Sequence, residues 1–241
     1  YGPAGVHAPS AAPDGQGGVI AIFNMNPGKP TPGWNQIMTL PRRLTLVQTD
    51  LLGVEPAGDV ESLRGEHVHV GQTALPANQE LVLGAVQGTA VELAVEIDDK
   101  GAPLVELNVL RSPDRSEFTR IAFYRERGYR DWDRYTGKPR DELERVVYSQ
   151  ISIDTSHSST MPDVLSRAPE TAPLLLAPDE PLRLRVFVDK SVVEVYANGV
   201  QCLAVRVYPG RADSVGVSLR AQGQDAVLRA LDAWQMESIY S

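Results

Sequence analysis

The sequence predicts an all-β fold, most of it a two-sheet antiparallel β-sandwich, and three observations carry that expectation. Short apolar runs rich in Val, Leu and Ile recur along the chain, and many alternate with polar residues, the period of a strand with one buried face. Gly, Pro, Asn and Asp separate the runs. Hairpin chemistry stands at Asp98-Asp99-Lys100-Gly101 and at Ala197-Asn198-Gly199-Val200, the second an Asn-Gly suited to a tight type I′ turn. No helical pattern of about 10–15 residues intervenes between runs, which argues against a doubly wound parallel sheet.

The elements follow in order. Residues 18–23 form an early apolar strand, and residues 80–83, 90–97 and 104–110 form the next clear ones. In the 90–97 run, Val91, Leu93, Val95 and Ile97 share one face and Glu92 and Glu96 take the other, so this strand is expected to be half buried and half wet. Residues 182–188 and 192–196 alternate, residues 202–208 close the hairpin, and residues 214–219 and 226–236 supply two final strands. One short helix is expected over residues 59–64, where Asp59 can cap the first turn. Residues 48–80, with many small, polar, Pro and Gly positions, read as a connection between two units. Residues 124–146 are dense in charge and aromatics and read as a long exposed hairpin loop.

Composition bounds the function. Of 241 residues, 42% are hydrophobic and 22% charged, ordinary for a globular chain. The net charge of −8 argues against a nucleic-acid binder, which needs a basic face, and is compatible with a neutral ligand such as a sugar. No run approaches the roughly 18 consecutive apolar residues of a membrane-spanning helix. Tyr1-Gly2-Pro3-Ala4-Gly5 shows no basic n-region followed by an apolar h-region, so no signal peptide is read, and the compartment stays open. Cys202 is the only cysteine, which excludes an internal disulfide and a Cys-rich zinc site. His67 and His69 fall on one side of a strand, but without a third ligand of clear spacing they read as a solvated linker; neither metal nor cofactor is expected.

Four stretches together resemble one family. Gly33-Trp34-Asn35-Gln36-Ile37-Met38-Thr39-Leu40-Pro41-Arg42-Arg43-Leu44 resembles the Trp…Leu-Pro-Arg-x-Leu strand that closes the last propeller blade of family 32 glycoside hydrolases, the group of invertases, inulinases, levanases and sucrose-6-phosphate hydrolases. Leu51-Leu52 with Val60-Glu61-Ser62-Leu63-Arg64 looks like the linker that follows it. Ile151-Ser152-Ile153-Asp154-Thr155-Ser156 is similar to an early Leu-Asp-x-Ser segment of the sandwich. Most specific is Phe187-Val188-Asp189-Lys190-Ser191-Val192-Val193-Glu194-Val195-Tyr196-Ala197-Asn198-Gly199, similar to a Val-Asp-x-Ser-x-x-Glu-x-Phe-x-Asn hairpin, and followed by a strand ending Arg206-Val207-Tyr208-Pro209. The resemblance implies residues 1–47 as a remnant of the last β-propeller blade, 48–80 as an inter-module linker and 81–241 as the β-sandwich.

The same resemblance implies a parent enzyme whose chemistry sits in a five-bladed propeller. Retaining glycosidases need two carboxyl groups roughly 5 Å apart. The family's Trp-x-Asn-Asp-Pro-Asn-Gly, Arg-Asp-Pro and Glu-Cys motifs are not found here. Asn24-Met25-Asn26-Pro27-Gly28 echoes the first but lacks the attacking Asp, Arg130-Asp131-Trp132 lacks the Pro, and Cys202 follows Gln201. No catalytic residue is therefore assigned. The chain is expected to be inert alone and to partner the missing propeller portion, in the same enzyme or on another chain.

Individual residues are weighed against plainer roles. Asp189, Ser191 and Glu194 look like an acid pair with a hydroxyl, but residues five apart on one strand face opposite sides, so Asp189 and Glu194 are expected to serve the hairpin. Trp34 could line a sugar subsite and is expected instead to pack between modules. Trp132, with Tyr129 and Tyr135, is the best surface candidate for a sugar or partner contact, against a default of local packing. Arg42 and Arg43 are expected to form local ion pairs. A lone blade exposes edges and an apolar face, which implies packing on the sandwich or against another chain, a second copy included. The main alternative is a stand-alone carbohydrate-binding sandwich; a sandwich used for protein association is the third reading.

Overall fold

The computed structural model describes residues 5–49, 51–131, 145–165, 167–177 and 179–239. The chain begins with β1 (Val6–Pro13), β2 (Val19–Met25), β3 (Ile37–Met38), β4 (Arg42–Gln48) and β5 (Leu51–Pro56). These form one antiparallel sheet in the order β1-β2-β4-β5, with β3 paired to β2. Asp14 sets the first turn: its carboxylate accepts from the Gln16 and Gly18 N–H groups and from the Arg43 guanidinium at 2.7 Å. The predicted helix is a single 3-10 turn, Val60–Leu63, capped by the Asp59 carboxylate, which accepts from the Ser62 N–H at 3.2 Å.

The sandwich follows: β6 (Arg64–Val70), β7 (Thr73–Leu75), β8 (Glu80–Gln87), β9 (Ala90–Asp98), β10 (Leu104–Arg111), β11 (Thr119–Asp131), β12 (Arg145–Asp154), β13 (Glu170–Leu174), β14 (Leu182–Asp189), β15 (Val192–Ala197), β16 (Gln201–Arg206), β17 (Gly216–Gln222) and β18 (Ala226–Met236). One sheet has the order β13-β12-β11-β10-β17-β8; the other has β16-β15-β14-β9-β18-β6, with β7 also on β18. Alternation places Val91, Leu93, Val95 and Ile97 of β9 opposite Val105, Leu107 and Val109 of β10, Ile121 and Phe123 of β11 and Ile151 and Ile153 of β12 in one buried core. The fold is all-β, a two-sheet antiparallel sandwich preceded by a single blade-type sheet. Among the described residues no helix is long and apolar enough to cross a membrane.

Four details depart from expectation. The segment 48–80 holds β5, β6 and β7: β5 completes the N-terminal sheet, and β6 and β7 pair with β18. Its Pro and Gly residues mask short strands, because β6 and β7 lie at a sheet edge where the pattern is weakest. The Asp98–Gly101 turn has the positive φ of a hairpin (Lys100 +52°, Gly101 +81°), yet β9 and β10 lie in different sheets. It is an arch between layers, anchored by the buried Asp99, which pairs with Arg125 of β11 and accepts from the Gly101 N–H at 3.2 Å. Glu92, expected in water, is fully buried on the outer face. Arg64 donates to it through Nε (2.9 Å) and Nη2 (2.7 Å), Arg185 through Nε (2.6 Å), and Arg64 lies 3.9 Å over the Trp234 ring. Finally, β11 and β12 extend into the 124–146 segment as a bulged hairpin pairing Tyr129 with Val147; Trp132 and Tyr135 lie outside the described residues.

Candidate functional site: the seam between the N-terminal sheet and the sandwich

The seam is built on the outer face of the β14–β15–β16 hairpins. Register pairs Phe187 with Glu194 and Asp189 with Val192, with the turn falling between them. Asp189 and Glu194 therefore share a face, contrary to the reading that placed them on opposite sides; that reading counted the five-residue spacing as if both lay on one strand, across the hairpin turn. They still form no acid pair. Asp189 is exposed, whereas Glu194 is 1% exposed and fully engaged. Its Oε1 accepts from the Leu40 N–H at 2.5 Å and its Oε2 accepts from Arg42 Nη2 at 2.9 Å. Burial pushes the Glu194 carboxyl up, while the Arg42 guanidinium and the Leu40 N–H pull it down. A carboxylate held this way positions β4.

Around this ion pair lies a small second core. Val54, Phe187, Tyr196 and Cys202 are buried together, with Leu40, Leu44, Val60 and Met236 packed on them. The Phe187 and Tyr196 rings meet edge to face at 6.0 Å, and Arg42 lies 5.1 Å over Phe23. The Asn198-Gly199 turn, at φ +48° and +67°, takes the conformation its sequence requires, and its Gly199 carbonyl accepts from the Val54 N–H at 2.7 Å. Burial pushes the Cys202 thiol up to about 12, which makes it a packing residue rather than a nucleophile.

The seam's other end is more open. Trp34 is 45% exposed and its ring stacks on the Arg206 guanidinium at 5.0 Å, with Tyr208 on that guanidinium at 5.2 Å. The Leu165 N–H donates to the Gly28 carbonyl at 2.7 Å, and Gly28 lies so close to Tyr208 that a Cβ there would stand 2.7 Å from the ring. A cleft of about 590 Å³ opens beside these residues, lined by Lys29, Thr31, Trp34 and Asn35 on one side and by Asp163 and Leu165 on the other. Trp34 is thus both a packing residue and part of a cleft wall. Arg42 and Arg43 each make an ion pair, the second with Asp14. His67 and His69 share a side of β6 and both bond Asp232 Oδ1, at 2.8 Å each, with the His67 ring stacked on Trp234.

Sequence reasoning missed the two pairings that organise the seam, Glu194 with Arg42 and Arg206 with Trp34. Only the charged residue at position 194, amid the apolar positions of β15, hinted at the first.

Comparison with known proteins fits this architecture. The family described as "Glycosyl hydrolases family 32 C terminal" matches residues 59–235. The insoluble isoenzyme 2 of beta-fructofuranosidase from Daucus carota is 26% identical over 86% of this chain, and the levanase of Bacillus subtilis (strain 168) is 24% identical over 88%. The chain spans only 38% and 29% of those two proteins. Among solved structures, fructan 1-exohydrolase IIa from Cichorium intybus superposes with a TM-score of 0.79 at 16% identity, covering 97% of this chain and 48% of that one. Exo-inulinase from Aspergillus awamori superposes at 0.70 and 18% identity, covering 98% and 44%. The match over residues 59–235 shows that the chain belongs to glycosyl hydrolase family 32 and carries the family's C-terminal domain.

Proposed function

We propose that the chain is the C-terminal portion of a β-fructofuranosidase-like hydrolase acting on sucrose or fructans, and that its own role is structural, without a catalytic carboxylate. The residues supplying the chemistry then belong to the remaining propeller, in the same enzyme or on a partner chain. Several features support this reading. The relatives bear the names beta-fructofuranosidase and levanase, and the chain spans 38% and 29% of them. The N-terminal sheet also leaves Met38, Leu46, Val47 and Leu52 more than half exposed, an apolar surface suited to a neighbouring blade.

The observation that carries the reading is the fate of Glu194. The buried Glu194 at the seam is engaged by Arg42 and by the Leu40 N–H, which fixes the N-terminal sheet to the sandwich and supports a structural rather than an acid/base role. The test is an assay of the pure chain on sucrose, inulin and levan. No release of fructose is expected. Turnover by the pure chain, abolished by a conservative carboxylate substitution, refutes the reading.

One observation favours a carbohydrate-binding sandwich as the second reading. A cleft of about 490 Å³ on the outer face of the seven-stranded sheet gathers Glu96, Arg183, Arg185, Asn198 and Asp232, donors and acceptors suited to sugar hydroxyls. Retention of the isolated chain on immobilised inulin or levan distinguishes the two, since a structural unit shows none.

A further inference from the structure

The cleft of about 590 Å³ at the open end of the seam lies between the β2–β3 connection and the β12–β13 connection. Its volume falls within the range of sites that hold small molecules. Trp34 on one side is 45% exposed and Leu165 on the other is 55% exposed. Two large apolar side chains left open in one concavity point to a ligand surface, since packing alone would bury them.

The walls are held in advance. The Arg206 guanidinium, itself on a residue 8% exposed, backs the Trp34 ring at 5.0 Å, and the Thr31 hydroxyl donates to the Trp34 carbonyl. The bond from the Leu165 N–H to the Gly28 carbonyl, 2.7 Å, ties one side to the other. Pro27, Pro30 and Pro162 fix the backbone further, so little freedom is lost when a ligand enters.

The polar groups of the cleft are left unspent by the fold. Among the described residues Lys29 meets no carboxylate within 4 Å; its Nζ lies 3.9 Å from Met161 Sδ and 5.7 Å from the centre of the Tyr208 ring. The side chains of Asn35 and Asp163 make no hydrogen bond or ion pair among the described residues. One cation and one anion among the lining residues favour a ligand with donors and acceptors but no net charge. A sugar has that character: its hydroxyls donate and accept, and its C–H face rests on an indole.

We propose that this cleft binds a neutral oligosaccharide, stacked on Trp34 and hydrogen-bonded by Lys29, Asn35 and Asp163. The inference rests on the proposed function only for the sugar to try first, a fructan.

The test is a titration of the full chain, followed in ¹H–¹⁵N spectra through the Trp34 indole N–H, which is assigned by its loss in Trp34→Phe. The probes are oligosaccharides of inulin, levan, cellulose and xylan, with a proline-rich peptide as the rival occupant of an aromatic-lined groove. A saturable shift of the Trp34 signal by at least one oligosaccharide is expected. Trp34→Ala weakens that binding about tenfold, as loss of an aromatic contact implies. Asn35→Ala, at an exposed position whose side chain holds nothing else, weakens it about threefold with an unchanged unfolding midpoint, so the result does not hang on the stability of the Trp34 variant. Binding of glucan or xylan oligomers alone upholds the site and withdraws its support from the fructan reading. Turnover by the pure chain, which refutes that reading, leaves the site standing. No shift of Trp34 with any sugar at tens of millimolar, shifts confined to Trp132 and Trp234, or binding of the peptide alone overturns the proposal.

Discussion

Replacing Glu194 by Gln tests whether one ion pair fixes the N-terminal sheet. The amide has nearly the same shape, so packing is kept and the change is electrical. Glutamine can still accept from the Leu40 N–H through its oxygen, but its NH₂ then faces the Arg42 Nη2 that now donates at 2.9 Å. Arg42 keeps its contact with Phe23 and loses its counter-charge while its side chain is 9% exposed. Burial this deep leaves little solvent screening, so the cost is about 3–5 kcal/mol, the range for a buried pair broken on one side. For a chain of this size that corresponds to a fall in Tm of roughly 6–20 °C.

The double variant Arg42→Met with Glu194→Leu removes both charges and fills the space with apolar atoms. It should lie within about 1–2 kcal/mol of the parent, since a buried pair and its hydrophobic replacement are often near balance. The assay is urea unfolding by linear extrapolation, with tryptophan fluorescence as the probe. A single substitution costing under about 1 kcal/mol, or a double variant as unstable as the sum of the two singles, refutes the reasoning.

Two further predictions are independent of that pair. Glu117 is buried and its carboxylate accepts from the Thr160 and Ser214 hydroxyls and from the N–H groups of Thr160, Gly210 and Arg211. Burial alone would raise it, but these donors hold its pKa at about 2, below the ordinary 4.5. Its folded-state pKa is lowered, so its contribution is complete above pH 4.5 and is lost as the pH falls towards 2. Glu117→Gln should flatten unfolding free energy against pH within that window, read by urea titration at successive pH values; an unchanged slope counts against the assignment. At the open end of the seam, Gly28→Ala places a methyl 2.7 Å from the Tyr208 ring. The expected loss is about 1–3 kcal/mol, the usual cost of overpacking, measured by calorimetry, and a stability equal to the parent's rules out the close packing.

The sandwich was legible because period-two alternation and turn residues act within a few positions of one another. Val91 to Ile97 and the Asn198-Gly199 turn could be read directly and are found as strand and tight turn. What escaped depends on distant partners. Glu92 has a polar residue's place in the pattern, and only Arg64 and Arg185, brought by other strands, make that place dry. Lys100-Gly101 has the backbone of a hairpin, and the choice between hairpin and arch is made by the core that each flanking strand joins. Asp189 and Glu194 were misassigned because a turn within a continuous motif resets which side a residue faces. At the seam, Trp34 and Arg42 were visible as residues, but their partners come from the far end of the chain.

The Glu194–Arg42 pair joins positions 152 residues apart. The pair is one of the points, with the Val54–Gly199 and Leu165–Gly28 backbone bonds, at which an N-terminal sheet must match this sandwich. A graft that supplied a different first sheet would keep the backbone N–H that Glu194 accepts, whatever residue other than proline replaced Leu40. It would keep the charge balance only if the newcomer also brought a cation to the place of Arg42. The acid therefore acts as an admission test: a sheet of the right shape but the wrong charge would dock against a bare carboxylate and be rejected. A recombinant that exchanges both positions together is expected to keep the charge balance.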